Sequence, residues 1–188
     1  MTDIRGTESR GRNTAGAVLG VATVAMGLIA GAFYVFACAV MPGLARSGDR
    51  VYIEVMQNIN DVIQNPVFFA SFMGALLFTA VSAWQLRGTA PHRWVVAALI
   101  VYVVAFALTS FVNVPLNDDL MNAGDPAKIA DPAAVREKFE DAWVAWNVVR
   151  AVLCTLAFAL LARALVLLGK GAPQSAYLDS AAGSSASR

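Results

Sequence analysis

Four long apolar stretches constrain this chain more than any other feature. They cover residues 14–41, 66–86, 94–112 and 143–168. A helix needs about 20 mostly apolar residues to cross a bilayer, and each stretch is close to or above that length. Charged residues make up only 14% of the chain, whereas a soluble protein carries about 25%. The sequence therefore predicts an all-α fold, a bundle of four transmembrane helices within one domain over residues 14–170.

Charges between the stretches predict the orientation in the lipid bilayer. Basic residues precede the first stretch and connect the second to the third, namely Arg5, Arg10, Arg12, Arg87, His92 and Arg93. The segment 113–142 is acidic overall, and the segment 42–65 is mixed. Because basic residues collect on the cytoplasmic side, we expect a multi-pass plasma-membrane protein with both termini in the cytoplasm.

The segments outside the four stretches divide into tails and structured loops. Residues 1–13 and 171–188 are polar or rich in small residues, so we expect two disordered cytoplasmic tails. The first apolar stretch is too long for a cleaved signal peptide and predicts a retained anchor. Apolar residues recur at helical spacing in 51–63 and 132–147, which predicts short amphipathic helices in the two extracytoplasmic loops.

Some features exclude functions or leave alternatives open. A net charge of +1 excludes the basic surface of a nucleic-acid-binding protein. Cys38 and Cys154 lie in apolar stretches, where two buried thiols are favoured over a disulfide. Two glycine pairs four residues apart, Gly16 with Gly20 and Gly27 with Gly31, fit either close helix packing or the general abundance of glycine in membrane helices.

Polar residues gather where three stretches meet the predicted outer boundary. They are Asn58, Asn60, Asn65, Asn113, Asn117, Asn147 and Arg150. A charge inside a membrane helix costs about 2.5–3.5 kcal/mol, so it usually has a partner or a function. The alternative is that the asparagines cap helix ends and Arg150 extends to the lipid headgroups.

Residue spacing predicts how this polar set is arranged. Trp143, Trp146, Asn147, Arg150 and Cys154 recur at intervals of three and four, which places them on one helical face. Pro115 lacks a backbone donor and predicts that the third helix breaks there. We expect the amide of Asn113 or Asn117 to lie within hydrogen-bond reach of Arg150 or Asn147.

The usual catalytic motifs do not occur in the sequence. The single histidine, His92, lies in the link on the opposite side, and the outer loops offer carboxylates without histidine or cysteine. Structural and catalytic metal sites draw on such residues, so we expect no metal site. We also expect no haem or other cofactor, since neither a haem ligand set nor a glycine-rich phosphate loop is present.

Several motifs in order resemble one family. They are Gly31-Ala32-Phe33, Met41-Pro42-Gly43-Leu44, Met56-Gln57-Asn58-Ile59-Asn60, Asn65-Pro66, Asn113-Val114-Pro115-Leu116-Asn117-Asp118-Asp119-Leu120 and Trp143-x-x-Trp146-Asn147-x-x-Arg150. Together they resemble the anthrone oxygenase-like family of small four-helix membrane proteins, over about residues 15–170. The resemblance implies oxidation of anthrones to anthraquinones by molecular oxygen, as in fungal members. Many bacterial members have no assigned role, and this chain looks bacterial.

This resemblance and the polar set support one functional hypothesis. A lipophilic polycyclic aromatic would bind at the outer end of the bundle and react with oxygen without a cofactor. Arg150, Asn113 and Asn117 would be catalytic and stabilise an oxyanion, with Glu54 and Asp118 as candidate bases. The substrate-binding candidates are Asn147, Trp143, Trp146, Asn58 and Pro115. The alternatives are a scaffold or accessory subunit that binds a second copy or another membrane protein, and a lipid- or quinone-binding protein.

Overall fold

The part of the chain that the structure describes consists of helices joined by short turns and loops. The computed structural model describes the backbone of residues 2–185 and the side chains of residue 11 and residues 13–170. The helices are α1 (Thr2–Val35), α2 (Met41–Leu44), α3 (Asp49–Val62), α4 (Pro66–Gln85), α5 (His92–Leu108), α6 (Val114–Asn122) and α7 (Pro132–Ser185). A first π-helical segment, Phe36–Val40, joins α1 to α2, and a second, Thr109–Asn113, joins α5 to α6. The predicted all-α fold is confirmed.

Within the described residues, four helical stretches are long and apolar enough to cross a membrane. They are Asn13–Leu44, Pro66–Gln85, His92–Asn122 and Pro132–Lys170. Within the bundle α1 packs against α4 and α7, and α5 packs against α7 and α4, so the contacts form a closed ring. This arrangement confirms the predicted bundle. Disorder of residues 1–13 and 171–188 stays a prediction, since most side chains of these tails lie outside the described residues.

Small residues let the membrane helices approach closely. Buried alanines occur on all four long helices, including Ala22, Ala75, Ala98 and Ala157. At Gly27 an added Cβ would lie 3.1 Å from the ring of Phe158 on α7, so this ring would have to shift by a few tenths of an ångström to accept a larger residue. Such close packing replaces the hydrophobic driving force that lipid does not provide.

The glycine and cysteine alternatives are resolved residue by residue. Gly16 and Gly27 face α7, but Gly20 and Gly31 face open space, so close packing explains two of the four glycines. Both cysteines are free thiols. Cys154 is buried as expected, whereas Cys38 is exposed on the bundle surface, and the disulfide alternative is wrong.

A second apolar core covers one end of the bundle. It is formed by α2, α3, α6 and the first turns of α7, which we call the cap, and its buried residues are Met41, Tyr52, Ile53, Met56, Leu120, Phe139 and Trp143. The end of the bundle that carries the cap is the capped end. Asn65 lies at its edge and caps α4, because its Oδ1 accepts hydrogen bonds from the amides of Val67 and Phe68.

Polar contacts tie the cap together. Arg136 Nη1 donates to the Ser47 carbonyl at 2.9 Å and to Asp49 Oδ1 at 3.0 Å, and Arg136 Nε donates to Glu140 at 2.6 Å. The guanidinium lies 4.6 Å from the ring centre of Tyr52. Burial, reinforced by the Glu140 carboxylate, raises the pKa of the Tyr52 hydroxyl. The two loops of this end therefore form one folded layer.

The predicted break of the third helix at Pro115 is wrong. The chain stays helical through this residue, because a π-helical turn precedes it. The Val114 amide bonds to the Thr109 carbonyl, five residues back. Proline interrupts an α-helix because its ring collides with the carbonyl four residues earlier and its donor is missing. One extra residue in the preceding turn moves that carbonyl aside, so the helix continues to Asn122.

Candidate functional site

A cavity of about 330 Å³ lies at the capped end, between the bundle and the cap. Its apolar lining consists of Ala32, Phe33, Phe36, Ile59, Ile63, Phe68, Phe69, Phe72, Met73, Phe106, Val114 and Trp143. Its polar lining consists of Asn60, Gln64, Thr109, Ser110, Asn117, Asp118, Asn147 and Arg150. Small-molecule sites have volumes of about 300–1,000 Å³ and mostly apolar walls with a few polar groups. The cavity therefore fits one small aromatic ligand.

One wall of the cavity is a stack of aromatic rings. Phe72 stacks on Phe68, with centroids 5.7 Å apart and an interplanar angle of 12°, and on Phe106, at 4.9 Å and 17°. The hydroxyl of Tyr102 donates to the Phe72 carbonyl at 2.8 Å and holds this part of α4 against α5. Parallel rings present a flat surface, which favours offset stacking with a flat aromatic ligand.

Arg150 is a buried cation in the cavity wall. Arg150 is only 4% exposed. Its Cζ lies 4.3 Å from the ring centre of Phe33 and 5.5 Å from that of Trp143. Its Nη2 donates to Asn147 Oδ1 at 3.1 Å, and its Nε has no hydrogen-bond partner in the part of the chain that the structure describes. Among the described side chains, no carboxylate forms an ion pair with it. A buried charge without an opposite charge is costly, so this site favours an anionic or oxygen-bearing ligand.

Two further side chains hold the wall around Arg150 in place. Asn147 is fully buried, and its Nδ2 donates to the Phe33 carbonyl on α1 at 3.2 Å. Trp143 Nε1 donates to Asn117 Oδ1 at 2.7 Å, which joins α7 to α6. The face of α7 that the residue spacing predicted is thus attached at two points, and both attachments orient residues that line the cavity.

The predicted hydrogen bond between Asn113 or Asn117 and the pair Arg150 and Asn147 is wrong. Asn117 bonds to Trp143, while Arg150 bonds to Asn147 on its own helix. Asn113 is only 1% exposed, and neither atom of its amide has a hydrogen-bond partner. It lies beside the cavity without being part of the lining. The alternative in which Arg150 reaches the headgroups is also wrong, because its side chain is buried.

Three of the predicted substrate-binding residues lie outside the cavity lining. Asn58 and Pro115 are exposed, and Trp146 is 38% exposed. Trp146 lies to one side because α-helical geometry rotates it about 60° from the position of Trp143, whereas Asn147 and Arg150 stay near that direction. Two residues of α3 line the cavity, Ile59 and Asn60, and Asn60 lies one helical turn beyond the buried Met56.

Acidic groups contribute little to the cavity wall. Asp118 lines the cavity but is exposed, and Glu54 is exposed and lies outside the lining. Within the residues whose side chains are described, no three His, Cys, Asp or Glu residues are placed to share a metal ion. The lining hydroxyls of Thr109 and Ser110 donate to backbone carbonyls of their own helix, so the lining groups that can donate to ligand oxygens are mainly side-chain amides and the guanidinium of Arg150.

The cavity opens on the side of the bundle. Phe69 and Met73 on α4 and Val114 on α6 belong to its lining, and each of the three is also substantially exposed. Both Phe69 and Met73 lie within a helix that is apolar enough to cross a membrane. The cavity therefore borders the apolar outer surface of the bundle at these three residues.

The fold and the cavity define a helical membrane protein with a ligand-sized site at one end. A family model described as anthrone oxygenase matches residues 62–160, which is just over half of the 188-residue chain, and the chain belongs to that family. The resemblance seen in the sequence motifs is thereby confirmed. No curated protein and no solved structure matches the chain. The matched range includes the stacked phenylalanines and Arg150, whereas Phe33 precedes it.

Proposed function

We propose that this protein is an oxygenase that converts a flat, lipophilic anthrone-like compound to the corresponding quinone with molecular oxygen. The observation that carries the proposal is Arg150, a buried guanidinium without a carboxylate partner that faces a cavity walled by stacked phenylalanine rings. An anthrone fits both features, because its rings stack and its carbonyl oxygen becomes negatively charged when a ring proton is lost. Family membership supports the same chemistry.

The proposed reaction begins with loss of a proton from the CH₂ carbon opposite the anthrone carbonyl. Arg150 donates to the oxygen that gains the negative charge, as preorganised donors do in other enzymes. The resulting carbanion gives electrons to O₂ and forms a C–O bond, and protonation yields a hydroperoxide. Loss of water from the C–H and O–OH groups of that carbon leaves the second carbonyl. One anthrone and one O₂ thus give one anthraquinone and one water, without a redox cofactor.

Each remaining polar group has a proposed role in this scheme. Asp118 is the proposed base, since it is the one carboxylate among the described lining residues. Asn147 is a positioning residue, because it holds Arg150 through its Oδ1 and is itself held by the Phe33 carbonyl. Asn117 is a positioning residue for Trp143, whose ring lies in the wall next to Arg150.

A carrier of lipophilic quinones is the second candidate function. The observation that favours it is the exposure of Asp118, because a base that works on a carbon acid is usually shielded from water. The lateral opening past Phe69 and Met73 serves a carrier as well as an enzyme. A carrier would bind anthrone and anthraquinone without converting one to the other.

We also propose that the capped end faces the extracytoplasmic side of the plasma membrane and that both termini are cytoplasmic. Arg87 lies in the short link after α4, and His92 and Arg93 begin α5, in accord with the positive-inside rule. Alkaline phosphatase fused after Gly124 should be active, and the same fusion after Gly88 should be inactive. The opposite result would invert the topology and leave the cavity on the cytoplasmic side.

The oxygenase proposal is tested with the purified full-length protein in detergent, anthrone and dissolved oxygen. Anthraquinone formation and oxygen uptake should both exceed autoxidation and proceed in a 1:1 ratio. Arg150→Gln should lower the enzymatic rate by at least about 100-fold. Arg163→Gln is the matched control, because Arg163 lies on the same helix outside the cavity lining, and it should keep most of the rate.

The alternatives give different results in the same assay. Binding of both compounds with no rate above autoxidation would favour the carrier. A wild-type rate equal to autoxidation together with no binding of either compound would leave a scaffold or accessory subunit. An Arg150→Gln variant as active as Arg163→Gln would contradict the role of Arg150.

A further inference from the structure

The cavity contains a second buried donor that the proposed reaction leaves unused. Asn60 on α3 is only 4% exposed and lines the cavity, and its Nδ2 has no hydrogen-bond partner among the described residues. Its own backbone carbonyl accepts from Gln64 Nε2 at 3.1 Å, which fixes the end of α3 at the cavity. An unpartnered buried amide is costly unless a ligand or a water completes it.

Asn60 carries an amide on a face of α3 whose other buried residues belong to the apolar core of the cap. Tyr52, Ile53 and Met56 form the rest of the buried face of α3, and they pack in the apolar core of the cap. Asn60 continues that face one turn beyond Met56, where another apolar side chain would avoid the unpaired donor. Exposed positions were available for an amide on the same helix, as Asn58 shows.

Asn60 and Arg150 belong to different parts of the molecule but face the same space. Arg150 comes from α7 in the bundle, and Asn60 comes from α3 in the cap. Both line the cavity, together with the stacked rings of Phe68 and Phe72. A flat ligand that lies against these rings and reaches both donors carries an oxygen atom on each of two edges.

We infer that Asn60 is a specificity-determining residue that donates a hydrogen bond to a second oxygen of the ligand, while Arg150 binds the first. The inference rests on the proposed function and extends it to the substrate class, a polycyclic aromatic with oxygen atoms on two edges. In an anthrone the second oxygen is either a ring substituent or the oxygen added by the reaction. Asn60 thereby raises the affinity for rings that carry a second oxygen relative to rings that carry one.

Anthrone and 9,10-anthraquinone test this inference directly, because they share a skeleton and differ by one oxygen. Dissociation constants are measured under nitrogen, where anthrone is not oxidised, by tryptophan fluorescence quenching of the full-length protein. Wild type should bind anthraquinone more tightly than anthrone. Asn60→Leu should weaken anthraquinone binding by about tenfold, the value of one lost hydrogen bond, and change anthrone binding by less than about twofold.

Two further variants complete the comparison. Asn58→Leu makes the same substitution at an exposed position of α3 and should bind like wild type. Asn60→Ala removes the same donor with a smaller side chain, so it replaces Asn60→Leu if the leucine variant does not fold. The expected result for Asn60→Ala is the same loss of preference for anthraquinone.

The possible failures are distinguishable. An unchanged preference in both Asn60 variants, with ligand binding retained, would overturn this inference alone and leave the oxygenase proposal in place. No binding of either compound to wild type would overturn both. An Asn60-dependent preference without any turnover of anthrone would uphold the inference and remove the catalytic step.

Discussion

Two membrane helices of this protein contain the same backbone feature, a π-helical segment before a proline, but the side chains of the two segments differ. In each, a π-helical segment of five residues is followed by one residue and then a proline, so that Phe36–Val40 precedes Pro42 and Thr109–Asn113 precedes Pro115. In both cases the amide just before the proline bonds to a carbonyl five residues back. The two prolines are therefore accommodated in the same way, and each helix continues into the cap.

The side chains of the two segments differ in polarity. The first segment is Phe-Ala-Cys-Ala-Val, none of its residues is buried, and only Phe36 lines the cavity. The second segment contains Thr109, Ser110 and Asn113, of which the first two line the cavity and the third is buried. The polar groups of the membrane helices at this end are thus concentrated on the second segment and on α7.

This difference shows that the proline accounts for the π-helical turn of each segment, whereas the polar side chains of the second segment need another explanation. A proline inside a helix explains a π-helical turn in both places, but it does not explain polar residues in only one of them. Polar groups in a membrane helix are costly unless they are paired or functional. Thr109 and Ser110 are paired with carbonyls of their own helix, so this cost falls on Asn113, whose buried amide lies beside the cavity without a partner among the described residues.

The largest stability effect is expected where α7 is tied to the start of the first segment. Asn147→Leu removes the hydrogen bond to the Phe33 carbonyl and the one side-chain acceptor of Arg150. Leaving a buried cation uncompensated should cost about 3 kcal/mol. The free energy of unfolding, measured by SDS titration, should fall by this amount, and Asn58→Leu should change it by less than about 0.5 kcal/mol. Equal effects would show that the bond to α1 contributes little.

The next effect in size is an increase in the free energy of unfolding, expected when Asn113 of the second segment is replaced by valine, the residue at the corresponding position of the first segment. Val40 and Asn113 are the last residues of their segments. Asn113→Val removes a buried amide without a partner and should raise the free energy of unfolding by about 1–2 kcal/mol. Val40→Asn should lower it by a similar amount. A destabilised Asn113→Val variant would mean that this amide has a structural partner, and the comparison would lose its functional meaning.

The smallest effects are expected at the two hydroxyls of the second segment. Thr109 Oγ1 bonds to the Ala105 carbonyl at 2.9 Å, and Ser110 Oγ bonds to the Phe106 carbonyl at 3.1 Å. Polar contacts in membrane helices average about 0.6 kcal/mol, so Thr109→Val and Ser110→Ala should each stay within about 1 kcal/mol of wild type. Ala37→Ser, at the position of the first segment that corresponds to Ser110, is the control. A larger effect of Ser110→Ala alone on anthraquinone binding would add its hydroxyl to the ligand site.

Much of the fold follows from the sequence because apolar length decides it. The four stretches, the helical loops and the polar face of α7 are all visible as patterns, and Trp143, Asn147 and Arg150 do share the cavity wall. The course of the chain at Pro115 was not predictable in the same way. A proline usually ends a helix, and the extra residue that lets the helix continue leaves no mark in the composition of the segment.

The cavity itself was only partly predictable. Phe68, Phe72 and Phe106 lie in stretches that are apolar on every side, so no contrast in polarity shows which rings face inward. The choice between Asn58 and Asn60 did have a signal, because Asn60 is four residues after Met56 and shares its face. Partners of single amides depend on side-chain directions, which explains why Asn117 pairs with Trp143 instead of Arg150.

The central claim, that a flat aromatic ligand binds against Arg150 and its neighbours, is tested most directly with two single-tryptophan proteins. Both keep Trp143, which lines the cavity, and the other tryptophans are replaced by phenylalanine; the second protein also carries Arg150→Gln. Titration with anthraquinone should quench Trp143 saturably when Arg150 is present, and the dissociation constant should rise by at least about tenfold in Arg150→Gln. Equal dissociation constants for the two proteins, or no saturation at Trp143, would contradict a ligand site at Arg150.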